Sequence, residues 1–258
     1  MKTNEKSLTK LIMLTAMGLL MTINFVMATP STIIWIPSVD FQGFKSWHLG
    51  MDNYIRMQKI NGVRGAGMFD LGLTTGILPG KNFQAEVGVD YLSMGDNVYD
   101  DHPIYFNGKV GFIEGGLFKG SPAITIGAYN LGLKTNLTNY NIVYGIMAKT
   151  IPIIGRVSAG YYTGNKKLLV DENGVAKQSG LLLSWDRSMT EISDKLWFAV
   201  DYQSNKNYLG ALSMGFSWNF TKNISMIFGY DIYNNKNAYY NSYNKNANTF
   251  TAQLDINI

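Results

Sequence analysis

The pattern that most constrains the fold of this chain is the strict alternation of side chains across residues 196–219. Two alternating runs flank residues 204–207. Successive side chains of a β-strand point to opposite faces, so the pattern predicts a hairpin with one large apolar face and one small, polar face. The apolar face carries Leu196, Phe198, Val200, Tyr202, Tyr208, Leu212, Met214, Phe216 and Trp218.

The ends of this hairpin favour a membrane environment. The apolar face is aliphatic in its middle and aromatic towards its ends, as in strands whose outer face meets lipid and whose ends meet headgroups. A hairpin of a soluble β-sandwich would also alternate, so this segment alone leaves both interpretations open.

The rest of the chain repeats the pattern. About twelve alternating runs of roughly 8–11 residues follow residue 45, which is the length that crosses a membrane at ~45° tilt, whereas strands of soluble sandwiches average ~5–6 residues. Their connections alternate between short and long. Two connections break this rule: residues 204–207 are short where a long loop is expected, and residues 113–121 are long where a short turn is expected. The sequence therefore predicts an all-β protein: a single transmembrane antiparallel up-and-down barrel of about twelve strands, with short periplasmic turns and longer extracellular loops.

The N-terminus predicts export. Lys2, Lys6 and Lys10 precede an apolar run, and Val26 and Ala28 occupy cleavage-site positions, so residues 1–28 read as a signal peptide removed after Ala28 in Sec-type export. The chain has no cysteine, which excludes a disulfide framework, a zinc ribbon and an iron–sulfur cluster. Residues 29–44 form a separate periplasmic segment whose role as extra strand, strap or plug the sequence leaves open, and residues 45–258 form the barrel.

Charged side chains identify the predicted lumen. Charged residues make up 16% of the chain, below the roughly 25% of ordinary soluble domains. A charge facing lipid near the midplane costs ~2–4 kcal/mol, so charges within strands should point inward. The predicted lumen-lining residues are Asp52, Asp70, Glu86, Asp90, Lys109, Arg156, Asp186, Asp201, Asp231 and Asp255. Their excess of carboxylates predicts a mild cation preference if the lumen is open.

Aromatic residues near strand ends are predicted to lie at the membrane interface. These are Trp47, Tyr91, Trp185, Tyr202, Tyr208, Trp218 and Tyr230. The segment 233–248 is rich in Asn and Tyr, which suits either a solvated loop or surface recognition.

Together, the signal segment, the dyad alternation, the aromatic strand ends and the amphipathic last strand resemble bacterial outer-membrane β-barrels of the porin-like kind. The last strand is similar to the C-terminal signal read by the barrel-insertion machinery, although it ends in Ile258 where that signal usually has Phe or Trp. The resemblance implies an outer-membrane location in contact with lipid and lipopolysaccharide.

The leading functional hypothesis is a channel for passive diffusion of small hydrophilic solutes. The alternative is a closed or plugged barrel with a structural or surface-recognition role. Some twelve-stranded outer-membrane barrels are phospholipases, but no serine is placed near His48 or His102 by sequence, so no enzyme is predicted. The two histidines and the scattered carboxylates show no metal-ligand spacing, and nothing indicates a cofactor or nucleic-acid binding.

Overall fold

The chain closes into a barrel of twelve antiparallel strands. The computed structural model describes residues 31–60, 62–235 and 248–258, so the predicted signal peptide lies outside the described residues. The barrel strands are β1 Trp47–Arg56, β4 Met68–Gly76, β5 Phe83–Ser93, β6 Ile104–Phe112, β7 Ala123–Gly132, β8 Asn139–Ile151, β9 Gly155–Thr163, β10 Ser179–Ser188, β11 Leu196–Gln203, β12 Ala211–Asn219, β13 Ile224–Tyr233 and β14 Thr249–Asn257. A small hairpin of β2 Lys59–Ile60 and β3 Val63–Arg64 and a helix α1 Asn97–Asp100 lie in connections. The predicted all-β, twelve-stranded barrel is confirmed.

Closure depends on the pairing of the first and last barrel strands. β1 pairs with β14 from His48 opposite Asn257 to Arg56 opposite Thr249, and it pairs with β4 on its other side. The remaining neighbours follow chain order. A closed ladder satisfies the backbone N–H and C=O groups between strands, which is what a sheet needs in lipid.

The two faces of the sheet invert the usual burial pattern. Outward side chains such as Val87, Val143 and Phe216 are large, apolar and exposed, whereas inward polar residues such as Asp231 and Gln253 are buried. In water such an apolar belt would be a large exposed patch, so the exterior is suited to lipid. On the outer face Phe198, Phe216 and Phe228 form a row of neighbouring rings, with centroids 6.0 and 5.6 Å apart. No helix within the described ranges is long and apolar enough to cross a membrane.

The rims differ in the length of their connections. Residues 77–82, 113–122, 152–154, 189–195 and 220–223 connect strands at one end, here called the turn rim. Residues 57–67, 94–103, 133–138, 164–178, 204–210 and 234–248 connect them at the other, the loop rim. The segment 204–210 is longer than predicted because β12 begins at Ala211 rather than at Tyr208.

Asn207 explains that difference. Its Oδ1 accepts hydrogen bonds from the backbone N–H groups of Leu209 and Gly210, and its Nδ2 donates to the Tyr162 hydroxyl and the Lys177 carbonyl. These bonds fold the segment over the mouth of the barrel instead of extending the strand.

Residues 31–44 lie inside the barrel and are named the lumen hairpin. Thr32 and Pro37 form an antiparallel bridge, and the Ile33 N–H donates to the Ile36 carbonyl at 2.8 Å. Residue 44 returns to the turn rim, where Phe44 bridges to Gly76. The segment therefore enters the lumen, turns, and comes back to the start of β1.

An apolar patch inside the barrel receives this hairpin. Ile33, Ile34 and Ile36 are at most 2% exposed and belong to one buried cluster with inward side chains of the wall. The β8 members of that cluster are Tyr140, Ile142, Tyr144, Ile146 and Ala148. The barrel thus has a conventional hydrophobic core, made between the hairpin and one part of the wall.

Candidate functional site

The tip of the lumen hairpin is held by one carboxylate. Asp201 Oδ2, on the inward face of β11, accepts hydrogen bonds from the backbone N–H groups of Ile34, Trp35 and Ile36 at 2.8, 2.9 and 3.3 Å. Consecutive N–H groups converging on an anion form a compact, charge-assisted site. From β14, Gln253 Nε2 donates to the Ile34 carbonyl at 2.9 Å.

The base of the lumen hairpin is held by an acid–base pair near the turn rim. Glu86 of β5 accepts from the Ser31 hydroxyl at 3.0 Å and from the Gln42 N–H at 2.7 Å. Lys109 of β6 lies 3.4 Å from Glu86 and donates to the Ser31 and Ser38 carbonyls. The pair thus contacts both arms of the hairpin.

A second ion-pair network ties the hairpin to β9 and β10. Arg156 Nη1 lies 2.6 Å from Asp40 of the hairpin, and Arg156 Nε lies 2.9 Å from Asp186. The Trp197 indole N–H donates to the other oxygen of Asp186 at 3.2 Å. All these groups are largely buried, so removing one partner would leave an uncompensated charge.

Beside the hairpin a cavity of about 240 Å³ remains open along β1, β4, β5 and β6. It reaches from His48 and Asp255 towards the turn rim to Arg56 and Asn235 at the loop rim. The hairpin contributes Ser31, Thr32, Trp35 and Pro37 to its lining. The lumen is therefore partly filled, and a cavity lies between the hairpin and this part of the wall.

Part of the cavity wall consists of two glycines, Gly50 and Gly72, here called the glycine floor, with carboxylates beside them. Gly50 of β1 pairs with Gly72 of β4, and Gly72 pairs with Asp90 of β5. In the next row towards the loop rim, Asp52 lies directly opposite Asp70. The glycines matter for space, because a Cβ on Gly72 would lie 2.9 Å from Asp90 Oδ1.

These wall carboxylates differ in how they are compensated. Asp255 lies 3.3 Å from His48, whereas Asp52, Asp70 and Asp90 form no ion pair within the described residues. Asn107 Nδ2 donates to Asp90 at 2.6 Å. The cavity wall thus carries more carboxyl groups than basic side chains.

Aromatic side chains line the half of the cavity nearer the loop rim. Trp35 at the hairpin tip makes edge-to-face contacts with Tyr54 and Tyr233, with ring centroids 5.2 and 5.8 Å apart. Tyr129 and Tyr144 form another such pair at 5.8 Å. All five rings belong to the cavity lining.

The predicted lumen residues all face inward, but they divide into three groups. Those lining the cavity are Asp52, Asp70, Glu86, Asp90, Lys109 and Asp255. Arg156, Asp186 and Asp201 act in the contacts with the hairpin described above. Asp231 is buried elsewhere, where the Thr249 hydroxyl donates to it at 2.7 Å.

Sequence reasoning missed the hairpin's own site residues. Trp35, Asp40 and Gln42 contact the wall, and Tyr54 and Tyr233 complete the aromatic lining. The tyrosines were visible as inward positions of alternating runs. The hairpin residues carried no periodic signal, since they form no long strand.

Of the predicted interface aromatics, six lie within a few residues of a strand end, on the outward face. They are Trp47, Tyr91, Trp185, Tyr202, Trp218 and Tyr230. The prediction was wrong for Tyr208, which lies in the folded segment 204–210, contacts the Tyr140 ring at 4.8 Å and lines the internal cavity.

The two histidines lie in separate places. His48 faces inward from β1, where its Nδ1 is 3.0 Å from Asn257 Oδ1 and its Nε2 is 3.3 Å from Asp255. His102 follows α1 at the loop rim. Within the described residues no serine hydroxyl bonds to either imidazole, and no group of three or more His, Cys, Asp and Glu side chains could hold a metal ion.

Comparison with known proteins gives likeness in structure only. No protein-family model matches the chain, and no curated protein matches its sequence. The structure is similar to that of the NanC porin, with a TM-score of 0.49, 12% identity, and coverage of 81% of this chain and 98% of that one. It is also similar to an outer-membrane channel from Pseudomonas putida F1, with a TM-score of 0.42, 8% identity, and coverage of 84% of this chain and 95% of that one. A third similar structure is outer-membrane phospholipase A from Escherichia coli, with a TM-score of 0.41, 13% identity, and coverage of 81% of this chain and 92% of that one.

The three named neighbours are a porin, an outer-membrane channel and an outer-membrane phospholipase. The closed barrel, with its apolar exterior and polar interior, defines this chain as a β-barrel of the porin-like, outer-membrane type.

Proposed function

We propose that the protein is an outer-membrane channel whose lumen is narrowed by its own N-terminal hairpin, and that small hydrophilic solutes, cations in preference to anions, pass beside the hairpin. The observation that carries this proposal is the cavity between the lumen hairpin and the β1–β4–β5 wall, which runs from Arg56 and Asn235 at the loop rim inward to the buried pair His48 and Asp255. Passage there requires a solute to move along a wall of carboxylates.

The negative wall supports the cation preference. Asp52, Asp70 and Asp90 have no cationic partner within the described ranges, and a narrow passage with low-dielectric walls strengthens the field of such groups. The hairpin supports a narrowed rather than a wide lumen, because buried hydrogen bonds, ion pairs and an apolar cluster hold it against the wall.

A closed barrel with a structural or surface-recognition role is the second candidate. The filling of the lumen by Ile33, Ile34 and Ile36 favours it, because this part of the interior excludes water. In that case the loops, including the Asn- and Tyr-rich segment 233–248, would carry the function; most of that segment lies outside the described residues.

The proposed channel function implies a cellular location for the protein. Sec-type export with cleavage after Ala28 would deliver the chain to the insertion machinery, and the exposed apolar belt would then contact outer-membrane lipid and lipopolysaccharide.

Single-channel recording in planar bilayers tests the proposal. The mature protein should give small discrete conductance steps, and a variant lacking residues 29–42 should give steps several-fold larger, because removing the hairpin clears the apolar part of the lumen. The refolded variant must first show a closed barrel by its β-sheet circular dichroism and its heat-modifiable gel mobility.

Each pattern of results decides between the candidates. Steps from both proteins, several-fold larger in the deletion variant, support the narrowed channel. Steps only from the deletion variant mean that the hairpin seals the lumen and favour the closed barrel. Equal conductance of both would contradict the assigned role of the hairpin.

A further inference from the structure

We propose that the cavity beside the lumen hairpin is a binding site for a linear organic amine with two or more positive charges, such as a diamine or a polyamine. Such amines would be the solutes of the proposed channel, so the physiological meaning of the site rests on the proposed function. Binding itself requires only the cavity.

The spacing of the carboxylates indicates an extended ligand. Asp52 and Asp70 are directly opposite across β1 and β4, where side chains stand ~4.5–5.5 Å apart at Cβ. Asp90 is opposite Gly72, two residues along β4 from Asp70, and such diagonal neighbours are ~7–8 Å apart. The carboxyl groups therefore form a line along and across the wall, and amino groups separated by a few methylenes can meet them one by one.

The same spacing disfavours a single metal ion. Within residues 31–60, 62–235 and 248–258, no three carboxylate or imidazole groups come together closely enough to hold one. A divalent ion needs several oxygen ligands at ~2.0–2.6 Å, which a spread row does not provide.

The carboxylates are also left in need of positive charge. None of the three is ion-paired within the described part of the chain, and Asp70 Oδ1 is buried without a hydrogen-bond partner there. A buried carboxylate is costly unless a cation or donor compensates it, and an ammonium group supplies three donors and a charge.

The aromatic lining provides the second independent feature. Trp35, Tyr54 and Tyr233 form a cluster of rings towards the loop rim, and Tyr129 and Tyr144 add further ring surface to the lining. Ring faces attract organic cations and pack against methylene groups, which neither water nor a metal ion exploits.

The size of the cavity selects an unbranched molecule. Its volume of about 240 Å³ is below the usual ~300–1,000 Å³ of pockets for drug-sized ligands. The glycine floor at Gly50 and Gly72 gives room for a thin chain against the backbone of the wall.

Isothermal titration calorimetry of the full mature protein, folded in a zwitterionic detergent at low salt, tests this inference. The probes are spermidine, putrescine, the monoamine butylamine and Mg²⁺. Spermidine should bind about tenfold more tightly than butylamine, because each further ammonium meets another carboxylate. Mg²⁺ should bind more weakly than spermidine.

The variants separate the site from general surface charge. Asp52→Asn with Asp70→Asn should weaken spermidine binding by about tenfold or more, whereas the matched double change Asp101→Asn with Asp194→Asn, at exposed positions outside the cavity, should leave it unchanged. Asp90→Asn alone gives a milder test in case the double variant folds poorly.

The outcomes are distinct from those of the channel proposal. Equal affinity for spermidine and Mg²⁺, or equal loss in the cavity and surface variants, would overturn the amine site. Spermidine binding without any conductance would leave the site standing and remove the channel. Conductance without spermidine binding would support the channel and overturn the amine site.

Discussion

At the scale of single residues, ionised side chains determine where the lumen hairpin lies. Asp201 holds the tip, Glu86 with Lys109 holds both arms near the turn rim, and Arg156 joins Asp40 to the wall. Charges inside a transmembrane barrel need partners or water. Here the partners are largely backbone groups of the hairpin, so the polar interior of the barrel specifies the position of an otherwise apolar insert.

Asp201→Asn should loosen the hairpin tip. The neutral amide loses the charge-assisted bonds from Ile34, Trp35 and Ile36, and a bond to a charged group contributes about 1.5–3 kcal/mol. The equilibrium constant between the hairpin bound in the lumen and the hairpin released from it should therefore fall by about one to two orders of magnitude. Asp231→Asn is the matched control, being equally buried but bonded to Thr249.

A thiol-labelling rate measures this release. Because the chain has no cysteine, Thr32→Cys provides a single reporter in the hairpin, to be labelled by a water-soluble maleimide. Labelling should accelerate in the Asp201→Asn background and stay at the parent rate in the Asp231→Asn background. Equal rates in all three would show that Asp201 does not hold the tip.

At the scale of elements, the turn 113–122 is anchored by Glu114. This carboxylate accepts from the Thr150 N–H and hydroxyl and lies 2.8 Å from Lys149 Nζ at the end of β8. Partial burial alone would raise the pKa of Glu114, but the bonds from Lys149 and Thr150 outweigh it and lower the pKa below its ordinary value of 4.5. The long turn at the turn rim is thus ordered by side-chain contacts.

Glu114→Gln should reduce the free energy of unfolding by up to about 1 kcal/mol at pH 7, since the pair with Lys149 is partly solvated. A lowered folded-state pKa gives stability that is present above pH 4.5 and is lost as the pH falls through the folded value. Urea unfolding at pH 7 and at pH 3 should therefore show a difference between parent and variant only at pH 7. Glu191→Gln, in the more exposed pair with Arg187, should change less.

The strands make a second element-scale prediction, concerning the lipid-facing belt. Met214 lies outward on β12 between Val200 and Tyr230 of the neighbouring strands. Met214→Lys should cost ~2–4 kcal/mol of folding free energy in phospholipid vesicles, because a cation there faces hydrocarbon. Thr190→Lys, in an exposed turn, should cost less than about 0.5 kcal/mol.

Equilibrium folding into vesicles, followed by tryptophan fluorescence across a urea series, compares the two lysine variants. Similar stability of the Met214→Lys protein and its parent would mean that this face of β12 does not contact lipid.

At the scale of the whole molecule, the interior is divided between an apolar half filled by the hairpin and an acidic half left open. The wall carboxylates of the cavity without an ion pair lie on β1, β4 and β5, whereas most wall residues of the apolar cluster lie on strands from β8 to β13. This division predicts that ion selectivity originates from one part of the wall.

Reversal potentials in a KCl gradient test this division. The mature protein should favour K⁺ over Cl⁻, and Asp52→Asn with Asp70→Asn should move the reversal potential towards zero, because it removes two of the three wall carboxylates of the cavity without an ion pair. The surface pair Asp101→Asn with Asp194→Asn should leave it unchanged. Selectivity that survives loss of Asp52 and Asp70 would place its origin elsewhere, for example at the loops.

The sequence alone determined the barrel, because alternation has a period of two residues that no other element shares. The runs around Val87, Val200 and Phe228 have large apolar side chains on one face and small or polar ones on the other, and lipid and lumen impose that contrast locally. The strand number followed from counting such runs. The start of β12 was misplaced because Tyr208 continues the alternation, whereas hydrogen bonds from Asn207 to distant groups end the strand.

Only the tertiary structure decided what occupies the lumen. Nothing in the alternation at Asp52, Asp201 or Arg156 distinguishes a carboxylate that faces a cavity from one that binds a hairpin, since both positions simply point inward. The hairpin itself is held by contacts between residues far apart in the chain, from 44 positions for Gln42 with Glu86 to 167 for Ile34 with Asp201. Local periodicity specifies which face a side chain takes, but its partner across a lumen depends on the closure of the whole barrel.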